Sequence, residues 1–574
     1  MKKVSLAALA VLLGGSFLIS RGQLPQTDNG VSPDTALARK LEVFNTVARY
    51  LSQVYVDSLR PDEAMNTAIA GMLYTVDPYT EYYDSEDMES LEIMTTGSYG
   101  GIGAFVLGKD GDTYISMPIE GSPSFKAGLK SGDRILRVDS VDVIGKPTDF
   151  TTRHLKGDPG TTVVVTVERP YTADSILSLP ILRERVQDRS VPFAGVVDSV
   201  GYIKLTSFVD KSAQEVRHAL ESFKESPGVK GIVLDLRDNG GGLVTSAVDI
   251  LGMFLPKETK VIETRGKVKD SNKEYTTNRS PLIPDLPLVV MINSGSASAA
   301  EITAGAVQDL DRGVLVGQRS FGKGLVQSTL SLPHDGALKV TTAKYHLPSG
   351  RLIQALDYSH RNPDGSVAHT PDSLTHEFLT HKGRTVRDGG GLVPDTVIEL
   401  KEMSRTAYNL MRANQIFDYA TRYAAHHPYI DSPAQFTISD DEFADFVAFV
   451  DTAKVKGDDS AQRYLEELRK GAEKAGVLSD SLAVALGAIE PMVSPDLRRD
   501  LYYNRPEIEE LLGREIVGRY HYRAGEEEFS LRFDDEFAIA RDIILNSKLY
   551  DSLLEPRDAS GSDGSGKNKA KGKK

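Results

Sequence analysis

Residues 287–310, PLVVMINSGSASAAEITAGAVQDL, begin as an apolar run of buried-strand type, PLVVMIN at 287–293, and continue as a helix. Ile302, Ala306, Val307 and Leu310 recur at helical spacing, so the second half presents one apolar face. Between the two lies a turn of small residues, Ser294 to Ser298. Working outward, GYIKLTSFVD at 201–210 reads as a strand leading into a helix around 211–224. A strand at 231–236 and a helix near 243–254 follow. Strands alternating with helices at this spacing imply βαβ units on a mainly parallel sheet. Ser298 then sits at a strand's carboxyl end and a helix's amino end, where α/β proteins place their ligands.

Two readings of Ser298 stand side by side. Ser298-Ala299-Ala300-Glu301 is a capping box, in which a serine hydroxyl and a glutamate satisfy the first amides of a helix. The same serine is also a candidate nucleophile, provided that a base takes its proton, and the base need not be histidine. Lys323, in SFGKGLVQ at 320–327, is 25 residues further on. Most lysines are solvated surface groups. This one lies between Gly322 and Gly324, with apolar Phe321, Leu325 and Val326 around it. Desolvation there is expected to lower the ammonium pKa from about 10.4 toward neutrality, as a general base requires. In GIVLDLRDNGGGL at 231–243, an apolar strand runs into three consecutive glycines. That is either an ordinary strand-to-helix turn or a place where backbone amides converge on a negative oxygen. With the amide of Ala299, the latter would make an oxyanion hole.

LDLRDNGGGL, SASAAEI, FGKGLVQ, KYHLPSGR at 344–351 and GRTVRDGGGLVPD at 383–395 together resemble the carboxyl-terminal processing peptidases, or tail-specific proteases. The resemblance covers roughly residues 33–400 in the same order. It implies that Ser298, not Ser294 or Ser296, is the nucleophile and Lys323 the general base. Gln327 would orient the lysine. The oxyanion donors would be Gly241 or Gly242 together with Ala299. It also implies a crotonase-like (ClpP/crotonase-type) α/β peptidase core. One departure is visible: the family often has serine where this chain has Ala300.

Residues 96–170 look like a PDZ domain, with strands alternating with glycine turns and SPSFKAGLKSGD at 122–133 as the helix and turn. Such modules add a peptide as a strand to a sheet edge while a loop of backbone amides holds its carboxylate. Here that loop would be Tyr99-Gly100-Gly101-Ile102-Gly103, with Ile102, Phe105 and Leu155 as walls. A small β domain used only for packing is the structural alternative. The segment GMLYTVDPYTEYYD at 71–84 ends a helix at Asp77-Pro78 and resembles the motif that precedes the regulatory domain; no catalytic role is assigned to it.

Composition bounds the remaining choices. The 574 residues are 40% hydrophobic and 26% charged, as in a multidomain globular protein. A formal charge of −14 argues against a nucleic-acid partner. The 11 histidines form no metal motif, and cysteine is absent, which removes thiol nucleophiles and disulfides. No metal or cofactor is expected. Lys2 and Lys3, the apolar stretch Val4–Ile19 and then Arg21 form a secretory signal or an uncleaved anchor. The expected location is the bacterial cell envelope, periplasmic, soluble or held by that segment.

The expected organisation is a signal peptide or membrane anchor at 1–22, N-terminal helices at 33–90 and an inserted PDZ domain at 91–172. The peptidase core then spans 173–400, a C-terminal helical extension 401–555, and a polar low-complexity tail 556–574. The expected function is an exported serine endopeptidase that captures the free, apolar C-terminus of a protein and cuts near that end, with PDZ movement gating the site. The alternatives are a catalytically silent PDZ scaffold of the envelope and an acyl-CoA enzyme; the export signal and the PDZ insertion speak against the latter. An adaptor protein, homo-oligomerisation and membrane anchoring are left open.

Overall fold

Apolar strands and amphipathic helices fall close to these positions in the computed structural model, which describes residues 33–85, 87–362, 366–399 and 401–556. The segment 1–22 and the tail after Pro556 lie outside the described residues. The chain divides into two compact units, one ending at Pro78 and the other beginning at Tyr79. The first carries helices Pro33–Val54 and Pro61–Tyr74. Pro61 occupies the first helical turn and Asp62 and Glu63 follow it, which suits the missing amide of proline and the positive end of the helix dipole.

In the second unit, alternating apolar residues build an antiparallel sheet in the order Ala104–Lys109, Asp112–Pro118, Arg134–Val138, Thr162–Glu168, Ile176–Leu182. Its inward face, with Ile115, Ile135, Val163, Val165, Val167 and Ile181, packs with Ile102 and Leu155 into a separate core. This is the PDZ domain.

The site-bearing sheet has six strands in the order Phe193–Val197, Val200–Lys204, Gly231–Asp235, Leu288–Ile292, Val314–Gly317, Thr396–Val397. The first pair is antiparallel and the rest run parallel. Gly231–Asp235 and Leu288–Ile292 are buried along their whole length, as central strands covered on both faces must be. Helices Ser212–Glu225, Val244–Leu251 and Ala299–Asp309 cover one face. Each fully buried Leu, Ile or Val there contributes about 1.5–3 kcal/mol. The expected strand at 201–210 is shorter, Val200–Lys204, because the chain turns at Leu205 toward the glycine loop.

A second, antiparallel sheet joins Glu81–Tyr83, Ala337–His346, Lys260–Gly266 and Lys273–Thr276, and Leu325–Ser331 also pairs with Ala337–His346. Lys323 stands at its entry, two residues before that last strand.

The C-terminal region is helical and has its own core around Phe443, Phe446, Ile508, Leu512 and Phe529. Helix Asp440–Phe449 is capped by Ser439, with Glu442 accepting Ser439 N–H at 2.7 Å. Helix Arg505–Ser530 breaks at Tyr522, whose φ of 54° and ψ of −157° are non-helical. At that kink the Tyr522 ring meets Phe125 edge-on at 5.5 Å, and Arg523 pairs with Asp188 at 2.8 Å, so the helical region touches the PDZ domain. The last helices, Asp535–Leu545 and Ser547–Leu553, cover the other face of the six-stranded sheet.

Candidate active site

Ser298 is the N-cap of helix Ala299–Asp309, half-buried, with φ 55° and ψ −114°. A residue with a Cβ is uncommon there and costs of order 1–3 kcal/mol, so the surroundings must hold it. They do so through the backbone. Ser298 N–H donates to Glu301 Oε2 at 2.9 Å, Tyr345 Oη to Ser298 O at 3.4 Å, and the preceding Ala297 N–H to Asn239 O at 2.9 Å. Both halves of the capping box are thus in place, Glu301 on the Ser298 amide and the Ser298 side chain facing the Glu301 amide, the latter without a close cap hydrogen bond. Both earlier readings of this serine are compatible: it starts the helix and keeps its hydroxyl.

Glu301 does far more than cap. It is fully buried, and its two oxygens take four donors. Oε1 accepts Ser320 Oγ–H at 2.5 Å and Gly322 N–H at 2.6 Å; Oε2 accepts Lys323 N–H at 2.8 Å and Ser298 N–H at 2.9 Å. Burial pushes its carboxyl pKa up, and the hydrogen bonds from Ser320, Lys323, Gly322 and Ser298 only partly offset that. One oxygen therefore ties the main chains of Ser298 and Lys323 within two hydrogen-bond lengths, about 6 Å.

The Lys323 ammonium lies over the Tyr79 ring, 4.2 Å from its centroid. Tyr79 packs edge-on against Tyr358 at 5.9 Å. Gln327 is half-buried, and its Nε2 donates to Thr341 Oγ1 at 3.1 Å.

The glycine turn closes against the serine. A Cβ on Gly241 would stand 2.8 Å from Ser298 Cβ and from Ala299 N, and Gly241 has φ +96°. Gly241 N–H is committed to Asn239 Oδ1 at 2.9 Å, and Asn239 Nδ2 donates to Leu205 O at 2.7 Å. The amides of Gly242 and Ala299 have no acceptor among the described residues. Of the three proposed donors, two are open and one is spent on the turn itself.

Just upstream, Asp235 is fully buried and accepts Tyr202 Oη–H at 2.7 Å and Arg237 Nη2–H at 2.6 Å. Burial alone would push its carboxyl up. The Arg237 guanidinium and Lys204 ammonium outweigh that and hold it well below the usual carboxylate range.

In the PDZ domain, Tyr99, Gly100 and Gly101 lie on strand Ser98–Gly101, antiparallel to Glu184–Gln187. The carbonyls along the loop are tied back. Gly100 O accepts Gly157 N–H at 3.2 Å, Ile102 O accepts Ser124 N–H at 2.7 Å, and Gly103 O accepts Ile119 N–H at 2.9 Å. Gly103 has φ +75°, and a Cβ there would stand 2.5 Å from Ser122 Cβ. The expected wall residues separate: Ile102 and Leu155 belong to the domain core, while Phe105 lies under the Arg523 guanidinium, 5.4 Å from it.

Four site-building residues carry little sequence signal for their roles. Glu301 read only as a cap partner, Tyr79 only as part of a helix stop, and Asn239 and Tyr345 only as members of longer motifs. An acidic residue on the apolar side of a small-residue helix start is the sequence clue to Glu301.

Three family models match the chain: Peptidase family S41 at residues 199–360, PDZ domain at 100–177, and PDZ-protease, C-terminal helical domain at 406–544. The chain is 33% identical over 384 residues to a carboxy-terminal-processing protease of Bartonella bacilliformis, spanning 66% of this chain and 84% of the relative. It is 36% identical over 307 residues to a carboxyl-terminal-processing protease of Synechocystis sp., spanning 52% and 70%. Among solved structures, the photosystem II D1 C-terminal processing protease is 26% identical, with 62% and 86% covered and a TM-score of 0.34.

Proposed function

This chain belongs to the carboxy-terminal processing proteases of peptidase family S41, and we propose that it is an exported serine endopeptidase with a Ser298–Lys323 dyad on a crotonase-like core. In this reading the PDZ domain takes the free C-terminus of a protein, and cleavage follows near that end. The observation that carries it is the Glu301 carboxylate, whose Oε2 binds the main-chain amides of both Ser298 and Lys323.

The neutral Lys323 amine accepts the Ser298 hydroxyl proton as Oγ attacks the scissile carbonyl carbon. The carbonyl oxygen becomes an oxyanion and receives the open N–H groups of Gly242 and Ala299. Such donors contribute about 2.7–4 kcal/mol each to the transition state. The Lys323 ammonium then returns the proton to the departing amine, leaving an acyl-enzyme that water hydrolyses. Gln327 lies within strand Leu325–Ser331, four residues after Lys323, where its amide is fixed by Thr341. Tyr79 supplies the resting place of the ammonium; a tail seated in the PDZ domain releases it, and the freed ammonium gives a proton to water before the amine acts as base.

The test uses an unfolded protein with an apolar C-terminal tail, followed by mass spectrometry. Wild type is expected to cleave it, Ser298→Ala and Lys323→Ala are not, and amidating the tail is expected to slow cleavage. Unchanged cleavage by both variants removes the dyad. Unchanged cleavage of the amidated tail removes carboxylate capture. Export is checked by fractionating cells with and without residues 1–22.

A further inference from the structure

We propose that Asp534 and Glu536, at the start of C-terminal helix Asp535–Leu545, are positioning residues of the active site: they hold the glycine turn through Arg237 and the lysine loop through Gln318. This rests on the Ser298–Lys323 reading for its kinetic consequence only.

The two site-bearing loops leave neighbouring parts of one sheet. Strand Gly231–Asp235 leads to Arg237 and then, within five residues, to Gly242; strand Val314–Gly317 leads to Gln318 and then to Lys323. Arg237 stands where the first loop begins. Its Nε and Nη2 face Asp235 at 3.0 and 2.6 Å, which anchors it to its own strand. Its outer edge is taken by the C-terminal helix: Nη2 donates to Asp534 Oδ2 at 2.6 Å, and Nη1 to Glu536 Oε2 at 2.6 Å and Asp534 Oδ1 at 3.2 Å. The other Glu536 oxygen accepts Gln318 Nε2–H. One glutamate therefore grips the entrances of both catalytic loops.

The grip is sheltered. The side chains of Arg237, Asp534 and Glu536 are each only about one-sixth exposed, at 16%, 16% and 15%. A guanidinium with three carboxylates in such a place is a strong, directional joint rather than a solvated surface pair. Asp534 is itself fixed as the N-cap, accepting Phe537 N–H at 2.9 Å. The helix behind it is anchored by Phe537 against Tyr202 at 5.3 Å and by Ala540, Ile543 and Ile544 on the sheet.

From Arg237 the constraint passes along the main chain. Leu236 O accepts Ser296 Oγ–H at 2.7 Å in the nucleophile turn, and Asn239 receives Gly241 N–H and gives its carbonyl to Ala297 N–H. Displacing Arg237 thus moves the Gly242 amide relative to Ser298. A 1 Å misplacement costs on the order of 100-fold in rate.

The experiment uses the full chain with Glu536→Gln and Asp534→Asn, each nearly isosteric. Three measurements are made: kcat and KM on the tailed substrate, active-site labelling by a fluorophosphonate, and hydrogen exchange at Gly240–Leu243 in a Ser298→Ala background. The expected result is a kcat lower by about 10- to 100-fold, KM within two-fold and a small Tm change. Exchange at the turn is expected to quicken about ten-fold or more, which needs no activity. Gln318→Leu serves as the second variant should the acidic ones misfold; it cuts only the lysine-loop arm and is expected to lower kcat by a few-fold. Wild-type kcat and wild-type exchange in well-folded Glu536→Gln overturn the proposal. Absence of any turnover in the wild type defeats the protease reading instead and leaves the exchange test standing.

Discussion

Replacing Glu301 with glutamine separates capping from catalysis. The carboxylate has two acceptor oxygens and four donors aimed at them. A glutamine offers one oxygen. Its best orientation keeps that oxygen on Ser298 N–H and Lys323 N–H and turns Nε2 toward Ser320 and Gly322. The Ser320 hydroxyl can rotate to accept, but Gly322 N–H cannot. At least one buried backbone donor is then orphaned, at about 1–3 kcal/mol, and it faces another N–H group. Glutamine also removes a charge that burial disfavours. The sign of that relief follows from linkage. With the folded pKa raised, the ionised carboxylate weakens the fold by an amount absent below the unfolded value and complete above the folded one. At neutral pH the variant recovers this, so its Tm is expected to fall by only a few degrees. The site has no such compensation, because the Lys323 loop loses its register. A net misfit of about 2 kcal/mol lowers kcat about 30-fold.

The assay is kcat and KM on a tailed substrate from pH 4 to 9, with melts at each pH. Wild type is expected to lose kcat as pH falls through the raised Glu301 pKa, above the ordinary glutamate range, because the protonated acid resembles glutamine. Glu301→Gln lacks that limb and keeps only the separate loss of rate that follows protonation of the Lys323 amine. A variant with wild-type kcat at neutral pH, or with the wild-type acid limb intact, refutes the reasoning.

Gly241→Ala is expected to abolish turnover, by about 100-fold or more, since its methyl would press on Ser298 and Ala299 at a positive φ; full activity would show that the turn has room to move. Ser298→Gly is expected to be inactive yet more stable than Ser298→Ala by about 1 kcal/mol, because glycine relieves the φ of 55°; denaturant titration of the two reads this directly. Tyr79→Leu removes a cation–π contact of about 0.5–2 kcal/mol and is expected to raise basal cleavage of a short, tailless peptide a few-fold. A fall instead would make the ring an aligner. Burial pushes Glu526 up to about 7, so ionising it weakens the fold. Glu526→Gln is expected to gain stability progressively between about pH 4.5 and 7, by roughly 1–3 kcal/mol at the plateau; parallel stability curves for the two proteins would contradict this.

Much of the core was legible because its signals are local. The apolar run at 287–293 and the spaced residues Ile302, Ala306 and Val307 needed only period and length to become strand Leu288–Ile292 and helix Ala299–Asp309. What stayed hidden is built from residues far apart in sequence. Tyr79 meets a lysine 244 positions later, and Arg237 meets Glu536 across 299. No periodicity predicts such pairs, because each depends on how whole layers stack.

The glycine turn shows a subtler limit. Three glycines announce that amides can converge, but not which ones remain open. Asn239, one residue before the first glycine, decides it by taking the Gly241 amide and leaving that of Gly242. A side chain that spends one donor on the turn fixes the direction of the next. The same logic extends to the C-terminal helix, which holds Arg237 at the entrance of that loop and Gln318 at the other. The proposed peptidase residues thus lie in short motifs, while the contacts that hold Arg237 and Gln318 come from a region without such a motif. Loss of that region is expected to leave a folded serine and lysine in the chain without the geometry that joins them.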